Sequence, residues 1–161
     1  MGATTVKHED RTKENTQNCS IGRSLQILGE KWTLLILREA FLGAYRFEEF
    51  HRVLGCARNL LTERLQTLTE EGILIRVPYK EPGSRVRDAY QLTDKGHEIL
   101  PVLAALMQWG DRHLADEAGP AAVLCSAVDG AQVRLAFIDE KGRTDIGLDE
   151  VVPAAGLGCL Y

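Results

Sequence analysis

Residues 59–72 read NLLTERLQTLTEEG, and the way apolar and polar side chains separate along this stretch decides the fold. Leu61, Leu65 and Leu68 recur at helical spacing with Leu60 at the edge of their stripe, while Asn59, Thr62, Glu63, Gln66 and Glu70 fall on the opposite side. The stretch is predicted to be a helix with one packing face and one face open to a partner. Immediately upstream, Phe47, Phe50 and Leu54 are spaced to cover one side of a shorter helix, with Glu48, Glu49 and Arg52 left to solvent. Gly55 separates the two. A pair of short helices joined by a tight glycine-containing turn is the helix-turn-helix pattern, whose second helix lies in the major groove of DNA.

The flanking sequence supplies support for this pair. Residues 31–42, KWTLLILREAFL, are apolar nearly all round and predict a central helix, the most buried of the chain, with Trp32, Leu35, Ile36 and Phe41 as its large core contributors. Before it, Cys19 to Leu28 carries Ile21, Leu25 and Leu28 at helical spacing and ends at Gly29. After Gly72, residues 73–79 (ILIRVPY) read as a strand, Pro82-Gly83 as a turn, and residues 87–92 (RDAYQL) as the returning strand. Helix, turn, recognition helix and β-hairpin in that order form a winged helix, mainly α with a β-hairpin wing, of the α+β class. Thr93 then suits the N-cap of a last helical region to about Leu114, broken or kinked at Pro101. Its apolar stripe exceeds what so small a core can cover, so a homodimer is expected.

Beyond Gly119 the character changes to glycine punctuation and alternating apolar residues. Val133, Leu135 and Phe137 share one side, and Asp129-Gly130 and Lys141-Gly142 are good hairpin turns, which predicts a small C-terminal β-meander from about Ala121 to Gly147. The expected division is a disordered polar tail over 1–18, a winged helix DNA-binding and dimerisation domain over 19–115, and a small β-rich extension over 116–161. The extension would cap the dimer helix; a ligand-sensing or partner-binding role is the alternative.

Composition narrows the function. The chain has 161 residues, 45% of them hydrophobic, enough for one ordinary core plus a small appendage. No apolar run approaches the roughly 20 residues that span a bilayer, and the polar N-terminus has no secretory core, so a cytoplasmic protein without membrane contact is expected. The four cysteines, Cys19, Cys56, Cys125 and Cys159, are too dispersed for a disulfide framework and form no metal-ligand pair. The net charge of -4 is uneven, since beyond Arg112 eight acidic residues face three basic ones. The remainder is close to neutral, and a local basic surface, not the chain total, governs contact with phosphates at a Debye length of about 8 Å. No nucleophile with a neighbouring base, carboxylate pair, metal-ligand spacing or glycine-rich phosphate loop is visible, so neither an enzyme, a metal nor a cofactor is expected.

The blocks GEKWTLLILREAFLG, RFEEFHRVLG, LLTERLQTLTEEGIL, AYQLTDKG and PVLAALMQWGDRHL, preceded by Cys19, occur in an order and spacing that strongly resemble the HxlR-type branch of the MarR-like winged helix-turn-helix regulators. The resemblance covers about Cys19 to Leu114. It implies a dimeric bacterial or archaeal transcription factor on pseudo-palindromic operators, often responsive to small electrophiles or oxidants. The chain departs from the pattern at Ala57, where a serine usually caps the recognition helix, a loss worth about 1 kcal/mol; Asn59 is the replacement cap to consider. Asn59 also stands where a basic residue is common near the start of that helix, and Arg58 can take over that contact.

The site expected from these features is a DNA face. Arg58, Asn59, Thr62, Glu63 and Gln66 would meet base edges or phosphates from the recognition helix, and Lys80, Arg85 and Arg87 would do so from the wing, with Arg46 at the entrance to the helix pair. Glu63 belongs there only if it accepts from a cytosine amino group. A solvated face is the bland reading of all these positions, and a winged helix interaction module without sequence-specific DNA binding is the alternative function. Cys19, at the expected start of the first helix and one turn before Arg23, is the candidate redox-sensing thiol, with Cys56 as its partner. The resemblance adds that such regulators often sense quinones or oxidants through a cysteine just before this helix. A double-stranded inverted-repeat operator, a second copy of the chain and a small electrophile or oxidant are therefore the expected partners.

Overall fold

The computed structural model describes residues 19–154. The tail predicted over 1–18 and Cys159 lie outside the described residues. The elements run α1 (Ser20–Leu28), α2 (Lys31–Phe41), α3 (Phe47–Leu54), α4 (Arg58–Glu70), β1 (Leu74–Tyr79), β2 (Arg87–Leu92), α5 (Asp94–His97) and α6 (Leu100–His113), with a 3-10 turn at Leu148–Glu150. This is a winged helix of the α+β class. The α4 stripe read from the sequence is the centre of its core: Leu61, Leu65 and Leu68 are fully buried and cluster with Ile36, Leu37, Phe50 and Leu74. Burying each such side chain contributes about 1.5–3 kcal/mol, so α4 is held chiefly by packing and not by its caps.

The phase of α2 differs from expectation. Ile36 and Leu37 are fully buried, whereas Trp32, Leu35 and Phe41 are only partly covered. A helix that is apolar nearly all round carries no sequence signal for which side is innermost. Phe41 instead meets the His97 ring edge-on, with ring centroids 5.9 Å apart. Between α3 and α4 the chain reverses at Gly55, whose φ of 62° is the left-handed conformation glycine adopts without a Cβ penalty.

The wing is an antiparallel pair in which Leu74 faces Leu92 and Tyr79 faces Arg87. Arg46 adds a single bridge to Ala89, and the amide of Tyr90 donates to the carbonyl of Tyr45 at 2.7 Å, so the segment before α3 forms a one-residue third strand. Thr93 caps as predicted, its hydroxyl accepting from the amide of Gly96 at 3.1 Å and donating to the carbonyl of Gly72 at 2.7 Å. Gly96 is required there, because a Cβ would stand 2.3 Å from the carbonyl oxygen of Ile73. The predicted interruption at Pro101 starts a new helix: Pro101 sits in the first turn of α6, where its missing N–H costs nothing.

The predicted β-meander is corrected. Both hairpin turns form, with Gly130 at φ 74° and Gly142 at φ 82°, but residues 115–154 hold no strand, and the bridge with both partners described is Cys125 with Gln132. No residue of this stretch is buried. A lone two-stranded hairpin is marginal in water without a third strand or a helix beneath it, and α6 does not cover this one.

Candidate nucleic-acid interface

The polar face of α4 emerges on one side of the body, and the wing rises beside it. Arg58 opens the helix. Ala57 at the N-cap has no side-chain capping bond, as expected, and Asn59 does not replace it, since it already lies inside the first helical turn. The first amides of α4 therefore point outward without an internal partner, an arrangement suited to an anion. Thr62 donates its hydroxyl back to the carbonyl of Arg58 at 2.9 Å and keeps its oxygen lone pairs. Further along, Gln66 donates to Glu70 at 2.7 Å on the exposed side. Asn59 and Glu63 are exposed, and Arg64 is half-buried, 3.7 Å from both Glu30 and Glu63.

Arg58 is held by two residues of the facing helix α3. Its guanidinium forks onto the Glu48 carboxylate, 3.0 Å from Oε2 and 2.5 Å from Oε1, and lies 4.7 Å over the Phe47 ring. The fork holds the Glu48 carboxyl below the usual carboxylate range and raises Arg58 in turn. Glu48 was read from the sequence as merely solvated; its position ten residues before Arg58, on the facing helix, was the available signal.

Arg46 has a different setting from the other predicted site residues. It donates to Glu81 at 2.6 Å and lies 5.1 Å over the Tyr45 ring and 4.9 Å over Tyr79, so it ties the wing to the start of α3. Lys80, Arg85 and Arg87 are exposed and make no ion pair within 4 Å among the described residues. An open cleft of about 610 Å³ between α4 and the wing is lined by Glu48, Arg58, Thr62, Tyr79, Arg85, Arg87 and Tyr90. The structure thus brings Arg58, Thr62, Arg85 and Arg87 together, while Arg46, Asn59, Glu63, Gln66 and Lys80 stand outside the cleft. The predicted thiols are far less alike than the sequence implied. Cys19 is half-buried at the start of α1, its sulfur accepting from the amide of Gly22 at 3.5 Å, and Cys56 is buried in the core.

Residues 27–118 match the family model described as HxlR-like helix-turn-helix. The chain belongs to the HxlR-like helix-turn-helix family. It is similar to an HTH-type transcriptional regulator of Mycobacterium tuberculosis, 40% identical over 139 residues that make up 86% of this chain and 87% of that one. Among solved structures it is similar to PA1607, named as a candidate transcription factor, with a TM-score of 0.74 and 33% identity over 90% of this chain and all of that one. It is also similar to the redox regulator HypR in its reduced form, with a TM-score of 0.52 and 27% identity over 57% of this chain and 90% of that one. This HxlR-like chain is a DNA-binding transcriptional regulator. No helix among its described residues is long and apolar enough to cross a membrane.

Proposed function

We propose that the chain acts in the cytoplasm as a homodimer on an inverted-repeat operator, with α4 in the major groove and the wing on the adjoining backbone or minor groove. The observation that carries this reading is the shared cleft: Arg58 and Thr62 from α4 and Arg85 and Arg87 from the wing face one space beside outward-pointing helix amides. Asn59, Gln66 and Glu63 lie on the same face of α4 for base-edge contact, with Lys80 extending the basic wing. The exposed stripe of α6, including Val102, Leu106 and Trp109, supports pairing of two copies. Selection of bound sequences from random duplexes tests the whole reading. Two half-sites with centres about 10–10.5 bp apart, and affinity falling steeply with salt, are expected. A single asymmetric half-site would refute the symmetric dimer.

A redox response is the second part of the reading, favoured by the position of Cys19. At the start of α1 the amide of Gly22 donates to its sulfur, and the similar HypR is named a redox regulator. Cys56 can take part only if the core around it opens, because a disulfide needs the two Cα atoms within about 7 Å and both sulfurs accessible. Operator binding of wild type and Cys19→Ser is to be titrated with diamide and with a quinone. Loss of affinity in the wild type alone is expected, and equal behaviour of the two proteins would remove Cys19 from the switch.

A further inference from the structure

Among the cations that line the cleft, Arg58 alone is paired among the described residues. Its fork turns both terminal nitrogens onto Glu48, and the Phe47 ring covers one face of the guanidinium at 4.7 Å. Arg85 and Arg87, in the same cleft, make no ion pair within 4 Å. Gln66, further along α4, is held in the same manner as Arg58, its amide donating to the Glu70 carboxylate at 2.7 Å. The recognition helix thus carries these two donors tied to carboxylates, while the wing carries its cations bare.

The Arg58–Glu48 pair is not a folding device. Its side chains are 58% and 60% exposed, and an ion pair so exposed adds little to stability. What the carboxylate changes is the field of the cleft. The hydrogen bond from Arg58, helped by the charges of Arg58, His51 and Arg87, holds the Glu48 carboxyl below its usual range, so Glu48 is an anion at neutral pH. A phosphate brought to Arg58 in this setting stands beside that anion, inside a Debye length of about 8 Å. Moving Arg58 off Glu48 onto the phosphate leaves the carboxylate unpaired against the DNA. Base edges carry no net charge and meet neither penalty. The sides of the guanidinium that the fork leaves open suit the paired acceptors O6 and N7 of guanine. Backbone anchoring does not need Arg58, because the first amides of α4 and the bare wing cations can supply it.

We infer that Glu48 is a specificity-determining residue that acts through Arg58: it keeps the guanidinium from phosphates and presents its open side to a guanine. This rests on the DNA-binding mode proposed above and deepens it by assigning the base that the start of α4 reads. Every duplex offers phosphates, so an unguarded arginine here strengthens binding everywhere. The guarded one strengthens it only where a guanine is in reach.

The test compares the full-length wild type, Glu48→Gln, Arg58→Ala and the double variant, on a mixed-sequence duplex over a salt series and by selection from random duplexes. Glu48→Gln keeps the side-chain length and removes the charge, and both positions are exposed, so thermal unfolding should stay at the wild-type value. Freed from Glu48, Arg58 should neutralise a phosphate: Glu48→Gln should bind the mixed duplex several-fold more tightly, with a log–log salt slope steeper by about 1 per bound chain. Its preference for guanine at one position of the half-site should fall by about tenfold. Arg58→Ala should lose the same preference with the slope unchanged, and the double variant should match Arg58→Ala. A Glu48→Gln slope and mixed-duplex affinity at or below wild type overturns the role of Glu48, as does an effect of Glu48→Gln that persists in the Arg58→Ala background. An unaltered base preference in Arg58→Ala overturns the guanine assignment. A wild type that binds no duplex overturns the DNA-binding mode as well.

Discussion

Between Lys31 and Leu92 the apolar residues converge on one core, with Phe50 and the three leucines of α4 fully buried; between Ala115 and Ala154 they stay at the surface. The two regions differ in how their backbones are satisfied. A helix makes its own hydrogen bonds, so α2, α3 and α4 each bring a finished apolar face that needs only a neighbour a few residues away. An extended segment brings an apolar face and an unmade row of hydrogen bonds, and both must be met from outside. The body therefore closes within one chain, while the extension is folded only as far as its turns.

The largest effect that would break this contrast lies in the core. Leu65→Ala should lower the free energy of unfolding by about 2–5 kcal/mol in urea titration, because its site is fully buried. A cost below 1 kcal/mol would mean that the body is no better packed than the extension. Next come the two halves of the DNA face. Gln66→Ala should relax preference at one base pair by about 1–3 kcal/mol, while Arg87→Ala should weaken binding to all duplexes alike and flatten the salt dependence. Matching binding profiles for the two variants would abolish the distinction between reading and positioning.

A smaller effect is expected at the entrance to α3. The Glu49 carboxylate accepts from the amides of Tyr45 and Arg46, both at 2.9 Å, and the Tyr45 bond followed by the Arg46 bond holds its carboxyl below the usual range. A depressed folded value means that the contribution is present above the ordinary carboxylate value of about 4.3 and is lost as pH falls through the folded one. Glu49→Ala should cost about 1 kcal/mol at neutral pH. The gap from wild type should close in acid, and a gap independent of pH would assign it to packing. The smallest effect belongs to the extension: Leu148→Ser, at a site 73% exposed, should change unfolding of the body by no more than about 0.5 kcal/mol. A larger loss at dilution would show that the extension does pack on its own chain.

Much of this was legible because amphipathic helices declare their inner side. The α4 leucines, the Thr93 cap, the Pro101 break and the span of β2 all follow from spacing and from the chemistry of single residues. The inner side of α2 was not, since Trp32 and Leu37 are equally apolar and only the positions of α4 and α6 choose between them. Nor was the role of Arg46, whose ring neighbours are Tyr45, next to it in sequence, and Tyr79 at the end of β1, brought to it only by the fold. The extension misled because alternation specifies a strand's two faces but not whether another strand is present to pair with it.

The setting of Arg46 also bears on the shape of the operator. Held beside Tyr45 and Tyr79 and fastened to Glu81, it ties the turn end of the wing to the start of the helix that precedes α4. The two DNA-facing parts then behave as the jaws of a calliper set to one opening. On the proposed DNA-binding mode, the step from the bases met by α4 to the backbone met by the wing would be fixed by the protein, and DNA would bend or twist to match it. On the proposed reading, sites of equal base content but different flexibility would be told apart at positions no side chain reaches.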